Sequence, residues 1–194
     1  MGMGEQWPRA TAEVGVLVLV VYLLQQLLVL VGIGLEMVAL SAPLADRPWT
    51  LVLAVYAHAT PSHLVANLVA LVLFGLIVER RSTRRRFHAF VLATGMLSGI
   101  AEVLIGTLVG AAPLVLGLSG ATFALMGYVL ASNPVTDGVL RGLQADRRVQ
   151  LVLMVFVAVG ITWVTRGERV ALIAHFTGVL LGLLAGRARL LRTG

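Results

Sequence analysis

Residues 58–81 read HATPSHLVANLVALVLFGLIVERR, and their two ends differ. The run from about 61 to 79 has the length of ~20 residues that a helix needs to cross a ~30 Å hydrocarbon core, whereas a barrel strand would be shorter and would alternate. Polar His63 and Asn67 sit near its start, and Arg80 and Arg81 stand at the finish. A membrane helix with a polar mouth at one end and cations at the other is therefore predicted.

The rest of the chain repeats that theme. Of 194 residues 59% are hydrophobic and 12% charged, and mean hydropathy is +0.96, outside the range of ordinary soluble domains. Six apolar spans are predicted at about 14–33, 61–79, 87–105, 117–132, 149–165 and 170–188. The expectation is one all-α polytopic bundle over 14–188, with short tails at 1–13 and 189–194 and no internal repeat or linker. The first span lacks a small-residue cleavage site and is read as a helix, not a signal peptide. Cysteine is absent, which excludes disulfides and thiolate metal sites.

All 15 basic residues are arginine, and the net charge is +6. They lie in short loops without interleaved aromatics, which argues against nucleic acid and for anionic lipid headgroups as the counter-charge. With a cytoplasmic N-terminus, Arg9, Arg80, Arg81, Arg84, Arg85, Arg86, Arg141, Arg147, Arg148, Arg187, Arg189 and Arg192 fall inside, and only Arg47, Arg166 and Arg169 outside. Positive charge gathers on the cytoplasmic side, so both termini are expected there. The second, fourth and sixth spans then run from outside to inside.

The intramembrane polar residues open those three spans. His63 and Asn67 are four apart and share a helix face. Ser119 begins the short fourth span in GLSGATFALMGY, residues 117–128, and His175 lies about five residues into the sixth. A span of roughly 16 residues measures ~24 Å, so Ser119 would start several ångströms below the outer surface, near the depth of His175 at roughly 7 Å. Gly178, Gly182 and Gly186 form a tandem GxxxG on the sixth span, and Gly120, Ala124, Gly127 and Ala131 a small-residue stripe on the fourth. Such faces allow close backbone approach and would bring Ser119 within reach of His175.

A serine hydroxyl becomes a nucleophile when a base takes its proton, and imidazole is the usual base. Acyl transfer also needs donors for the developing oxyanion, which Asn67, His63 and the backbone N–H at the start of the fourth span could supply. Glu79, Glu102, Asp137 and Asp146 are not placed as a third member, so a Ser-His dyad is expected. Gly117 would leave room for a substrate carbonyl beside Ser119, and Gly120 and Gly127 would admit the sixth span.

Together with AHFTGVLLGLLAG at 174–186, these segments resemble the rhomboid family of intramembrane serine proteases, over about residues 47–188. The resemblance implies a six-helix fold, Ser119 as nucleophile, His175 as base, and Asn67 and His63 with the Ser119 N–H as the oxyanion group. Phe123 stands where the family often has an aromatic packed on the imidazole. The implied substrates are transmembrane proteins, cut near the outer leaflet, with no metal or nucleotide needed. The first outer loop carries DRPW and lacks the Trp-Arg pair of many rhomboids. A catalytically silent membrane-segment binder and a small transporter are the competing readings. The transporter is weakened by the absence of inverted repeats.

Overall fold

A computed structural model describes residues 9–166 and 171–193. Residues 1–8 of the expected N-terminal tail, Arg169 and the expected start of the last span at 170 lie outside the described residues. The eight described α-helices are α1 (Arg9–Leu30), α2 (Thr50–Tyr56), α3 (Pro61–Glu79), α4 (Arg84–Leu108), α5 (Ser119–Ala131), α6 (Pro134–Gly142), α7 (Arg147–Val164) and α8 (Leu172–Arg187). Helices α1, α3, α4 and α7 are long and apolar enough to cross a membrane, while α5 and α8 are apolar but shorter. The fold is all-helical, as expected. The short α2 and α6 fall inside stretches read as loops, where periodicity has too few residues to register. Helix α1 begins at Arg9, five residues before the expected span.

Local chemistry sets half of the helix starts. Thr60 accepts from His63 N–H at 3.2 Å ahead of Pro61, Thr83 from Arg86 N–H at 3.3 Å, Asn133 from Thr136 N–H at 2.9 Å and Asp146 from Val149 N–H at 2.9 Å. These are ordinary N-caps. Helices α5 and α8 begin instead after Leu118 and Ala171, which have no capping side chain. Their first N–H groups must be satisfied from elsewhere in the bundle.

Helix α5 is the central element, buried along Gly120, Ala121, Ala124, Leu125, Gly127 and Tyr128 and packed by α3, α4 and α8. Large apolar side chains such as Leu23, Leu30, Phe156 and Trp163 point outward, the arrangement expected where the solvent is lipid. The α5–α8 contact is the most extensive in the bundle. A Cβ on Gly178 would overlap the Gly120 carbonyl, and one on Gly182 the Ala124 carbonyl. Gly127 meets α8 as expected, since a Cβ there would come within 3.0 Å of Leu183 N. Gly120 differs. Its missing side chain makes room for Ser98 on α4, whose Oγ would lie 2.9 Å from a Cβ there, while its carbonyl and Cα face Gly178 on α8.

Loops at the end of the bundle opposite most arginines are tied together. Leu40 and Val115 exchange backbone hydrogen bonds of 2.8 and 2.9 Å. Arg47 donates to the Glu36 carbonyl and, at 3.2 Å, to Ser41 Oγ, and Trp49 Nε1 donates to the Met37 carbonyl at 3.0 Å. The DRPW segment thus braces its own loop.

Candidate active site

Ser119 is the first residue of α5, so its N–H has no carbonyl one turn earlier to bond. One turn on, the Phe123 ring lies 4.1 Å from the His175 ring, centroid to centroid, tilted by 37°. One turn past His175, Gly178 rests on the Gly120 carbonyl. These two reciprocal contacts set Ser119 and His175 at the same level on facing helices. No hydrogen bond joins the hydroxyl to the imidazole in this structure, and His175 Nδ1 is buried without a partner among the described residues.

The glycine before the nucleophile candidate serves another purpose than the one expected. Gly117 has φ +126°, and a Cβ there would lie 2.6 Å from Cε1 and 2.9 Å from Nε2 of His63. The space is filled by the His63 ring, not held open for a substrate carbonyl. Both the left-handed backbone and that ring require glycine. Asn67 is buried, and its Nδ2 donates to the His63 carbonyl at 3.0 Å. An amide has two N–H donors, so one remains for a ligand. His63, Asn67, Ser119 and the turn at Gly117 thus converge on one end of the bundle.

Two residues outside the expected set, one of them gripped in turn by Gln25, hold this end in place. His58 is fully buried, with its ring 5.0 Å from that of His63. Its Nδ1 pairs with the Tyr56 carbonyl at 3.0 Å, which leaves Nε2 to accept from Leu118 N–H at 3.4 Å, just ahead of Ser119. Gln25 of α1 grips the His58 backbone from both sides, donating to its carbonyl at 2.6 Å and accepting from its N–H at 3.1 Å. The other residue is Glu102 on α4, whose Oε2 accepts from Ala174 N–H at 2.8 Å. It provides the cap that Ala171 cannot, one residue before His175. The glutamine had a sequence signal, a polar pair inside an apolar span.

A cavity of about 20 Å³ lies between α2, α4, α5 and α8, lined among others by Ser98, Ser119, Gly120 and Ala174. The Ser98 hydroxyl in it is buried and has no hydrogen-bond partner among the described residues. The space suffices for about one water.

At the opposite end the carboxylates are structural. Glu79 Oε2 accepts from Thr11 N–H at 2.6 Å and caps α1. His88 pairs with Glu13 at 2.8 Å, which Arg84 also reaches at 2.7 Å. His88 therefore joins two helices.

The Rhomboid domain family matches residues 45–192 of the chain. The chain is similar to the rhomboid protease GlpG of Serratia proteamaculans, with 30% identity over 179 residues that cover 90% of this chain and 60% of that protein. It is also similar to RHOMBOID-like protein 5 of Arabidopsis thaliana, with 26% identity over 144 residues, 74% of this chain and 45% of that one. The chain spans about half the length of these curated relatives.

Proposed function

The chain belongs to the rhomboid family of integral membrane proteins, and from that premise we propose that it is a serine endopeptidase that cuts transmembrane segments of other proteins. The observation that carries the reading is the reciprocal packing of α5 and α8, in which Phe123 lies against His175 and Gly178 against Gly120. In the proposed topology α5 and α8 are crossings too, making six, and the termini are cytoplasmic. The site then opens toward the outer leaflet.

The chemistry follows from residue type. His175 takes the proton of Ser119 as Oγ attacks the scissile carbonyl. The oxyanion is met by the Ser119 N–H, the second N–H of Asn67, and His63, donors held in place before charge develops. Collapse expels the amine, which takes the proton from the imidazolium. Water, for which there is room beside Ser98, then attacks the acyl-enzyme with His175 again as base. His175 Nδ1, without a partner among the described residues, fits a dyad without a carboxylate. Cleavage of a reporter transmembrane substrate in liposomes tests the reading. Ser119→Ala and His175→Ala are each expected to abolish it in folded protein, and undiminished cleavage by both would refute the assignment.

The second reading is a catalytically silent member that binds membrane segments, favoured by the missing Ser119–His175 hydrogen bond. Catalytic hydrogen bonds are often formed only with substrate bound, so the first reading is preferred.

A further inference from the structure

A second cavity, of about 260 Å³, lies at the arginine-rich end of the bundle, far along the helices from Ser119. Arg80 and Arg81 after α3 and Arg189 and Arg192 after α8 line it, together with Tyr128 and Ser132 from the end of α5. Apolar Ile77, Val78 and Val129 also line it. Four arginines thus line the cavity, and among the described residues no acidic side chain does.

The wall is built, not merely crowded. Leu191 is buried and its N–H donates to the Tyr128 hydroxyl at 3.2 Å. Thr193 N–H donates to the Arg81 carbonyl at 2.9 Å, and Arg86 Nη1 to the Arg192 carbonyl at 3.2 Å. The segment after α8 is therefore stitched across the ends of α3, α4 and α5. Arg189 adopts φ +51°, a left-handed conformation uncommon for a residue with a side chain. Its Nη2 is held by Asp137 at 2.8 Å, a carboxylate already bonded to Arg187 at 2.6 Å. Among the described residues, the guanidinium groups of Arg80, Arg81 and Arg192 have no acidic partner.

Guanidinium groups bind phosphate through paired, charge-assisted hydrogen bonds. The Tyr128 hydroxyl accepts from Leu191 and keeps its own proton to donate. Ile77 is half-exposed on the lipid-facing side of α3, so an acyl chain can lie against it while a headgroup enters the basic cavity. A basic pocket between helix ends at a membrane surface has the chemistry for an anionic phospholipid headgroup. We propose that this cavity is a binding site for the phosphate group of an anionic lipid in the leaflet at the arginine-rich end. The assignment is independent of proteolytic activity.

Native mass spectrometry of the full chain, titrated with dioleoylphosphatidylglycerol in neutral detergent, tests it. The double variant Arg80→Gln with Arg192→Gln is expected to weaken lipid binding by about tenfold or more. The charge-matched control Arg85→Gln with Arg148→Gln, outside the cavity, is expected to change it by less than about twofold. Unfolding temperatures of both variants establish that they fold. Equal losses in the two double variants would reduce the effect to diffuse surface charge and overturn the site, as would unchanged binding in the first. Displacement of the lipid by millimolar inorganic phosphate would transfer the cavity to a free phosphate and overturn the lipid assignment.

Discussion

Gly182→Ala tests how closely the bundle depends on the α5–α8 contact. A Cβ at Gly182 would lie 2.8 Å from both C and Cα of Ala124, and closer still to its carbonyl oxygen. Non-bonded carbons settle at ~3.5–4.0 Å, so the helices must part by roughly 0.7–1.2 Å. The obstruction is backbone and cannot swing aside. Overpacking costs about 1–3 kcal/mol, offset by up to ~1 kcal/mol from the better helix propensity of alanine. A net loss of roughly 1–2 kcal/mol is expected. The functional loss is expected to be larger, because Ser119 and His175 ride on the two separated helices, and a ~1 Å misplacement can cost ~10²-fold in rate. Thermal unfolding in detergent and the rate of fluorophosphonate labelling measure the two effects. The control is Gly160→Ala on α7, where a Cβ meets nothing within 4 Å; it should be neutral or stabilising by up to ~1 kcal/mol. If Gly182→Ala unfolds and labels like the unsubstituted protein, close glycine packing does not set the geometry of the site.

Glu102→Ala removes the cap on the helix that carries His175. It should cost about 1 kcal/mol in unfolding and slow substrate turnover, while Glu102→Gln, which keeps an acceptor oxygen, should restore most of both. Gln25→Ala leaves the buried N–H and carbonyl of His58 without partners, a loss of about 2 kcal/mol by thermal unfolding. Arg187, with Arg189, holds the Asp137 carboxyl below its ordinary value. A lowered folded value means that the bridge contributes fully above ~pH 4 and is lost as pH falls through the folded value. Asp137→Asn should therefore reduce stability at neutral pH by under ~1 kcal/mol, with the difference vanishing in acid.

The sequence carried the spans well because apolar length is a local property. The boundaries of α3 at Pro61 and Glu79 and of α7 at Arg147 and Val164 lie within about two residues of expectation. Convergence of His63, Asn67, Ser119 and His175 at one end was legible too, from the shared starts of three helices running the same way. What escaped were bonds between residues distant in the chain. Nothing near Ala171 indicates that its helix is capped by Glu102, 72 residues before Ala174. Gly117 was assigned to a substrate because the approach of His63 depends on how α3 packs against the turn. The role of His58 depends on its grip by Gln25, whose position inside an apolar helix was the available clue.

The central claim is that Ser119 is a nucleophile activated by His175. Intact-mass measurement of the purified full chain after fluorophosphonate treatment tests it without knowledge of the substrate. The account predicts one phosphonyl adduct, mapped to Ser119, formed on the unsubstituted protein and absent from both Ser119→Ala and His175→Ala. No adduct on the unsubstituted protein, or an adduct that persists in folded Ser119→Ala, would contradict it.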